Sequence, residues 1–318
     1  MDLNDRVILV DKPQGVTSFR AVEMMRRAGK TRKAGHCGSL DPAATGLLVL
    51  TTGVATRLSS LFVDQPKEYE ARIRFGRSTD TYDADGQTVA EGEVPPLERE
   101  RMDTLLETFV GEIKQVPPMV SALKHQGKRL YELARQGIEV DREARPVMVY
   151  GLDVLELGES HLDLRIRCGR GCYVRSLAHD LGALLGVPAH LEQLRRTAIG
   201  PYRVEQATAL NELREQVREA REKSEEANLE SVLDVSRAFG FLPALYVRRG
   251  FEDALRNGVQ PLPHFFVEMP EVSGPHRLLS EDRQRMLGMG TADGRRQFAI
   301  IKIQRLFQHP LAVEPQPA

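Results

Sequence analysis

Strict alternation over Lys67–Phe75, and again over Leu162–Cys168, limits this chain more than any other feature. In the first stretch Tyr69, Ala71, Ile73 and Phe75 share one side, and Glu68, Glu70, Arg72 and Arg74 the other. In the second, Leu162, Leu164, Ile166 and Cys168 oppose Asp163, Arg165 and Arg167. A period of two marks a half-buried β-strand, whose apolar side another layer must cover. Val7–Val10 and Leu47–Leu50 are unbroken apolar runs instead, which suits strands buried on both sides. Gly111–Gln115 and Val147–Leu157 add two more strands. Helical stretches lie between them. One is capped by Thr17 or Ser18, with Phe19, Val22 and Met25 on its apolar side; Arg101–Val110 and Tyr173–Leu185 follow. Asn211–Glu230 interleaves Glu and Arg at helical spacing and reads as an exposed helix. The expectation is an α+β fold, a mixed, mostly antiparallel sheet flanked by helices.

At 318 residues the chain exceeds one comfortable core, so a large unit and a smaller one are expected. The large unit takes residues 1–240. Pro117-Pro118 and Pro146 bracket a segment of mixed charge, 117–146, that leaves the sheet and returns to helical spacing at Arg129–Gly137. Short strand-like pieces at Leu242–Arg249, Leu278–Leu279, Gly288–Gly290 and Gln297–Leu306 make a small β-rich unit, 241–312, before a frayed tail, 313–318.

The net charge of −1 means that any surface for an anionic partner is local and offset elsewhere. Arg26, Arg27, Lys30, Arg32 and Lys33 form one such basic cluster. Cys37, Cys168 and Cys172 make no CxxC pair and no disulfide framework, which fits a reducing cytoplasm. The N-terminus lacks the pattern of a signal peptide, and no apolar run approaches the roughly 18–20 residues of a membrane span. Gly29-Lys30-Thr31 ends like a phosphate loop, but the glycine that motif requires five residues before Gly29 is missing. Asp80–Gly86 is acidic yet lacks the spaced ligands of a calcium loop, and Asp85-Gly86 reads as a hairpin turn.

Chemistry concentrates in Lys30–Thr52. Asp41 sits between a glycine-rich approach and Pro42, beside His36 and the basic cluster. Pro42 keeps Asp41 out of the helical region, so the carboxylate stands on a fixed loop before a buried strand. An Asx turn before a strand is the plainer reading of the same residues. Tyr69 points inward at the start of its strand, where a phenol needs a partner or a substrate. Arg175 lies in the first turn of a helix, where the macrodipole disfavours a cation, so an anionic partner is expected.

These residues fall within longer blocks. DKPQGVTSFRAV (Asp11–Val22), GHCGSLDPAATGLLVL (Gly35–Leu50), KEYEARIRFG (Lys67–Gly76), PPMVSALKHQGKRLYELARQGIEV (Pro117–Val140), GCYVRSLAHDLG (Gly171–Gly182) and LRRTAIGPY (Leu194–Tyr202) resemble, in order, the TruB family of bacterial tRNA pseudouridine(55) synthases. The resemblance covers about three quarters of the chain. It implies a pseudouridine-synthase-like catalytic domain whose 117–146 insertion is a mobile thumb over RNA, and a PUA-like RNA-binding module at the end.

It also implies a reaction. The C1′–N1 bond of a uridine in the tRNA T-arm breaks, the base turns, and it rejoins through C5. Mass and charge are conserved, so neither cofactor nor metal is expected. Asp41 would act as nucleophile or base, Arg175 would keep it ionised, and Tyr69 would meet the flipped-out base. His36, Tyr173 and Leu194 would hold the nucleotide. Lys12 and Lys67 would contact phosphate or scaffold, and Lys124, Lys128 and Arg129 would grip RNA from the thumb. Cys37 and Ser39 depart from the family's usual small residues, and Val120 and His125 stand where many relatives carry aromatics. A cytoplasmic monomer with tRNA as its partner, no obligatory protein partner and no membrane is the resulting expectation. The alternatives are an RNA-guided synthase of a ribonucleoprotein and a non-catalytic RNA-binding or RNA-folding protein.

Overall fold

The computed structural model describes residues 3–121, 123–125, 127–130, 133, 136–138, 140–223, 229–294 and 299–313. Its main elements are β1 (Arg6–Lys12), α1 (Ser18–Ala28), β2 (Ala34–His36), β3 (Thr45–Thr52), β4 (Lys67–Phe75), β5 (Gly111–Gln115), β6 (Arg145–Leu157), β7 (His161–Cys168), α2 (Val174–Leu185), β8 (Ala189–Ile199) and α3 (Leu210–Glu222). In space the large sheet runs Thr208–Ala209, β1, β3, β8, β4, β7, β6, β5. The junctions of Thr208–Ala209 with β1 and of β3 with β8 are parallel. The other neighbours along this path are antiparallel. The α+β expectation holds.

The alternating strands sit as their pattern requires. Tyr69, Ala71, Ile73 and Phe75 of β4, with Leu162, Leu164, Ile166 and Cys168 of β7, enter one core. Val22 and Met25 of α1 and Leu177 and Leu181 of α2 cover it. On the polar side, Arg72 grips Asp163 and Arg74 grips Glu192 across neighbouring strands. β3 is buried on both sides: Leu48 and Leu50 join this core, while Leu47 and Val49 join a second one behind the sheet. Phe62 and Phe239 meet in that second core at 4.8 Å between ring centroids.

The C-terminal strands Ala244–Val247, Gly274–Ser280, Arg285–Asp293 and Ile300–Ala312 form a four-stranded sheet in that order. Leu279, Met286, Met289 and Phe307 belong to the second core, so this sheet packs behind the large one.

Two expectations change. α3 is not simply an exposed charged helix, because Leu210, Leu213, Val217 and Ala220 line a buried face. Four apolar residues at spacings of three and four suffice for a stripe even where every other position is polar. Phe19 is not on the buried face of α1. Ala21, Val22, Met25 and Ala28 form that face, and Phe19 is 71 % exposed. In the 117–146 segment, Lys124–His125 pairs with Lys128–Arg129 as a short ribbon. The side chains of Lys124, His125, Lys128 and Arg129 lie outside the described residues, as do residue Arg135 and the tail 314–318.

Candidate active site

Asp41 stands on the loop between β2 and β3, and main-chain contacts hold that loop from three sides. Ser18 Oγ at the start of α1 accepts from Leu40 N at 2.8 Å and donates to Leu40 O at 3.0 Å. Pro42 O accepts from Gly15 N at 2.8 Å and from Lys12 Nζ at 3.4 Å. Arg196 of β8, 1 % exposed, donates from Nε to Leu47 O (2.7 Å), from Nη1 to Ser39 O (3.3 Å) and from Nη2 to Gly38 O (3.1 Å). Parallel pairing puts Gly46 opposite Arg196, and a Cβ on Gly46 would lie 2.2 Å from Arg196 O. With φ at +101°, position 46 needs glycine for both conformation and space.

Arg175 comes from α2. Gln115 of β5 fixes the start of that helix, accepting from Tyr173 N at 2.7 Å and donating to Tyr173 O at 3.0 Å. The Arg175 side chain is 4 % exposed, with Nε 3.0 Å from Asp41 Oδ2. Its remaining nitrogens face elsewhere: Nη1 lies 3.5 Å from Asp83 Oδ2 and donates to Thr81 O, and Nη2 donates to Val120 O at 2.8 Å. The contact with Asp41 is therefore single rather than a two-pronged fork. It supplies the anionic partner that an arginine in a first helical turn required.

These groups line a cavity of about 1430 Å³, whose wall includes His36, Asp41, Lys67, Tyr69, Tyr173, Arg175, Leu194 and Arg196. Although 41 % of the Asp41 side chain stays exposed, it is exposed to this confined space. Burial pushes its carboxyl above the ordinary range, Arg175 pulls it down, and Asp83 pushes it up again. The Tyr69 hydroxyl is driven up to about 12 by burial, against the pull of Arg196, so it stays a neutral phenol at ordinary pH. Burial raises Tyr173 as well, and it lowers His36, with Arg196 adding to that effect. The Nδ1 of His36 is buried with no hydrogen-bond partner among the described residues.

The two lysines go to the scaffold. Lys12 is fully buried, with Nζ donating to Pro13 O at 2.9 Å and Val16 O at 2.8 Å as well as to Pro42 O. Lys67 is buried too, donating to Val63 O and, at 2.6 Å, to Gln65 O. Burial lowers each ammonium to about 8. Carbonyls take all three donors of Lys12 but only two of those of Lys67, which also lines the cavity.

Residues 26–174 match the family model described as TruB family pseudouridylate synthase (N terminal domain), and residues 175–239 match that of the tRNA pseudouridylate synthase B C-terminal domain. A protein named tRNA pseudouridine synthase B from Haemophilus influenzae is 41 % identical over 302 residues, 95 % of each chain. Its namesake from Aromatoleum aromaticum is 42 % identical over 290 residues, 91 % of this chain and 89 % of that one. The chain belongs to the TruB family of pseudouridylate synthases. Among solved structures, a Cbf5-Nop10-Gar1 complex aligns with a TM-score of 0.74 at 25 % identity, over 96 % of this chain and 86 % of that one. An H/ACA RNP bound to a substrate RNA containing 2′-deoxyuridine aligns at 0.73 and 22 % identity, over the same shares.

For this TruB-family chain, three site features went unread in the sequence: the Ser18 clamp, Asp83 and Arg196. Asp83 lies in the acidic DTYDADG stretch, which by pattern reads as a turn, and Arg196 lies two positions after Leu194 in the block LRRTAIGPY. Among the described residues, Glu156, His161 and Asp163 alone lie close enough to share a metal ion. None of them lines the cavity, and Asp163 is already held by Arg72 at 2.6 Å.

Proposed function

We propose that this protein converts a uridine of tRNA, in the T-arm at position 55, to pseudouridine, with Asp41 as the essential group. The contact that carries the reading is Arg175 to Asp41, a carboxylate held by a buried cation on the wall of a large cavity. Relatives that match this chain along most of its length bear the name tRNA pseudouridine synthase B, which supports tRNA as substrate. The target uridine leaves its stack and enters the cavity. Arg175 holds Oδ2 of Asp41, which leaves Oδ1 to face C1′ as nucleophile or to take the proton that starts elimination. The C1′–N1 bond breaks, the base turns, C1′ joins C5, and the C5 proton leaves while N1 gains one. Tyr69, as a neutral phenol, offers a ring for the base and a hydroxyl that relays a proton, not a phenolate base.

His36, Tyr173 and Leu194 enclose the nucleotide, and Lys124, Lys128 and Arg129 meet RNA phosphates from the 117–146 thumb. Residues 1–240 act as the catalytic domain and 241–312 as a PUA-like RNA-binding module. The protein works in the cytoplasm as a monomer without an obligatory protein partner. Asp41→Asn tests the core of this. The amide keeps the shape of the carboxylate and removes its chemistry. Single-turnover formation of pseudouridine in an unmodified T-arm stem-loop should vanish, while binding stays within about tenfold, or about 1.4 kcal/mol. Conversion near the unsubstituted rate would take Asp41 out of the reaction. Tight binding without product from the unsubstituted protein, incubated alone, would favour an RNA-binding role or a need for further components.

A further inference from the structure

An exposed aromatic ring stands at the mouth of the cavity. Phe19, the second residue of α1, is 71 % exposed and forms part of the cavity lining. A single exposed apolar side chain is ordinary, so exposure alone carries little. Its anchoring carries more. The preceding residue, Ser18, is bonded both ways to Leu40, and Leu40 immediately precedes Asp41. Thr17 Oγ1 accepts from Arg20 N at 3.0 Å and fixes the same helical turn. The backbone that carries Phe19 is thus tied at a fixed offset from the backbone that carries Asp41.

The cavity is also larger than its target needs. Small-molecule pockets run to about 300–1,000 Å³, and this one reaches about 1430 Å³. It has room for more than one nucleotide. The two lining tyrosines, Tyr69 and Tyr173, are buried or half-buried in its wall, and the lining residues Met119 and Val120 bring no ring. Exposed Arg20 follows Phe19 on α1 and adds a positive charge to the same helical turn.

We propose that Phe19 stacks on the base adjacent to the target uridine and holds that stretch of strand while the target is turned out. The proposal rests on the tRNA-modification reading and adds a positioning residue for the substrate. Stacking of a base on an aromatic side chain is worth about 1–3 kcal/mol, or about 5- to 150-fold in affinity.

A cycle of protein and RNA changes tests it. The full-length protein and its Phe19→Ala, Phe19→Leu and Phe19→Tyr variants are titrated with a T-arm stem-loop, intact or abasic at the nucleotide 5′ or 3′ of the target. Phe19→Ala should weaken binding of the intact RNA about 5- to 150-fold. Phe19→Tyr should restore it. Phe19→Leu should not, because bulk without a π-face is no platform. At one flanking position the abasic RNA should bind the unsubstituted protein as weakly as Phe19→Ala binds intact RNA, and combining the two should add nothing. Rescue by leucine, multiplying losses at both positions, or unchanged binding by Phe19→Ala would each overturn the proposal. Product formation from intact RNA is scored in parallel, so failure of the synthase reading shows as absent product whatever the cycle reports.

Discussion

Arginines meet carboxylates on both sides of the large sheet, and they do so differently. On the open side, Arg72 reaches Asp163 with two nitrogens, at 2.7 and 2.6 Å, and Arg74 reaches Glu192 likewise, at 2.9 and 2.9 Å. In the cavity, Arg175 gives Asp41 one nitrogen and commits the others to Thr81 O, Val120 O and Asp83. A fork matched to a carboxylate engages both of its oxygens at once. A guanidinium fixed mainly by other groups stabilises the charge while sparing part of the carboxylate. The first arrangement joins strands; the second keeps a carboxylate available.

The strongest way to break this comparison is Arg175→Lys. Lysine retains the charge but cannot reach Asp41, Thr81, Val120 and Asp83 from one planar group. Single-turnover rates should fall about 10²-fold, the scale of a small misplacement of a reacting group, with RNA binding retained. Arg72→Lys, by contrast, should leave the rate unchanged. Equal effects at the two sites would dissolve the distinction.

A smaller effect sharpens it. Asp83 raises the pKa of Asp41. Asp83→Asn removes that negative charge, so Asp41 should stay ionised to lower pH and the acid limb of the rate profile should move down. An upward move would mean that Asp83 acts chiefly by supporting Arg175. The smallest effect belongs to the open side. A double-mutant cycle between Arg72→Ala and Asp163→Ala in urea should return a coupling of about 0.2–1 kcal/mol, because both side chains are partly solvated. The rate should not change. A coupling well above that range would make the open-side pair a structural keystone.

Local features were legible in the sequence, and contacts across it were not. The alternation of β4 and β7 names the residues of their core face, and the Gly-rich, proline-bounded loop points to Asp41 before any coordinates. Arg175 is legible because a cation in a first helical turn calls for a partner nearby. Arg196 gives no such signal. Its three acceptors are main-chain carbonyls more than a hundred residues away, and any side chain may stand above a carbonyl in sequence. Phe19 misled for the opposite reason. Its spacing fits the stripe of α1, but the cavity opens where that stripe would continue. The charged run containing α3 hid four buried apolar positions because composition outweighed spacing.

The parallel pairing of β3 with β8 has a consequence for biosynthesis. Thr45 and Gly46 meet Arg195 and Arg196, so the brace on the aspartate's loop is made about 150 positions later in translation. A nascent chain carries Asp41 out of the ribosome early but receives Arg175 and then Arg196 only near the end of the large sheet. Contacts of such separation close slowly. A chain stopped before β8 therefore already holds Ser18 and Arg175 but not Arg196, and the support of the Asp41 loop is complete only once β8 has been made.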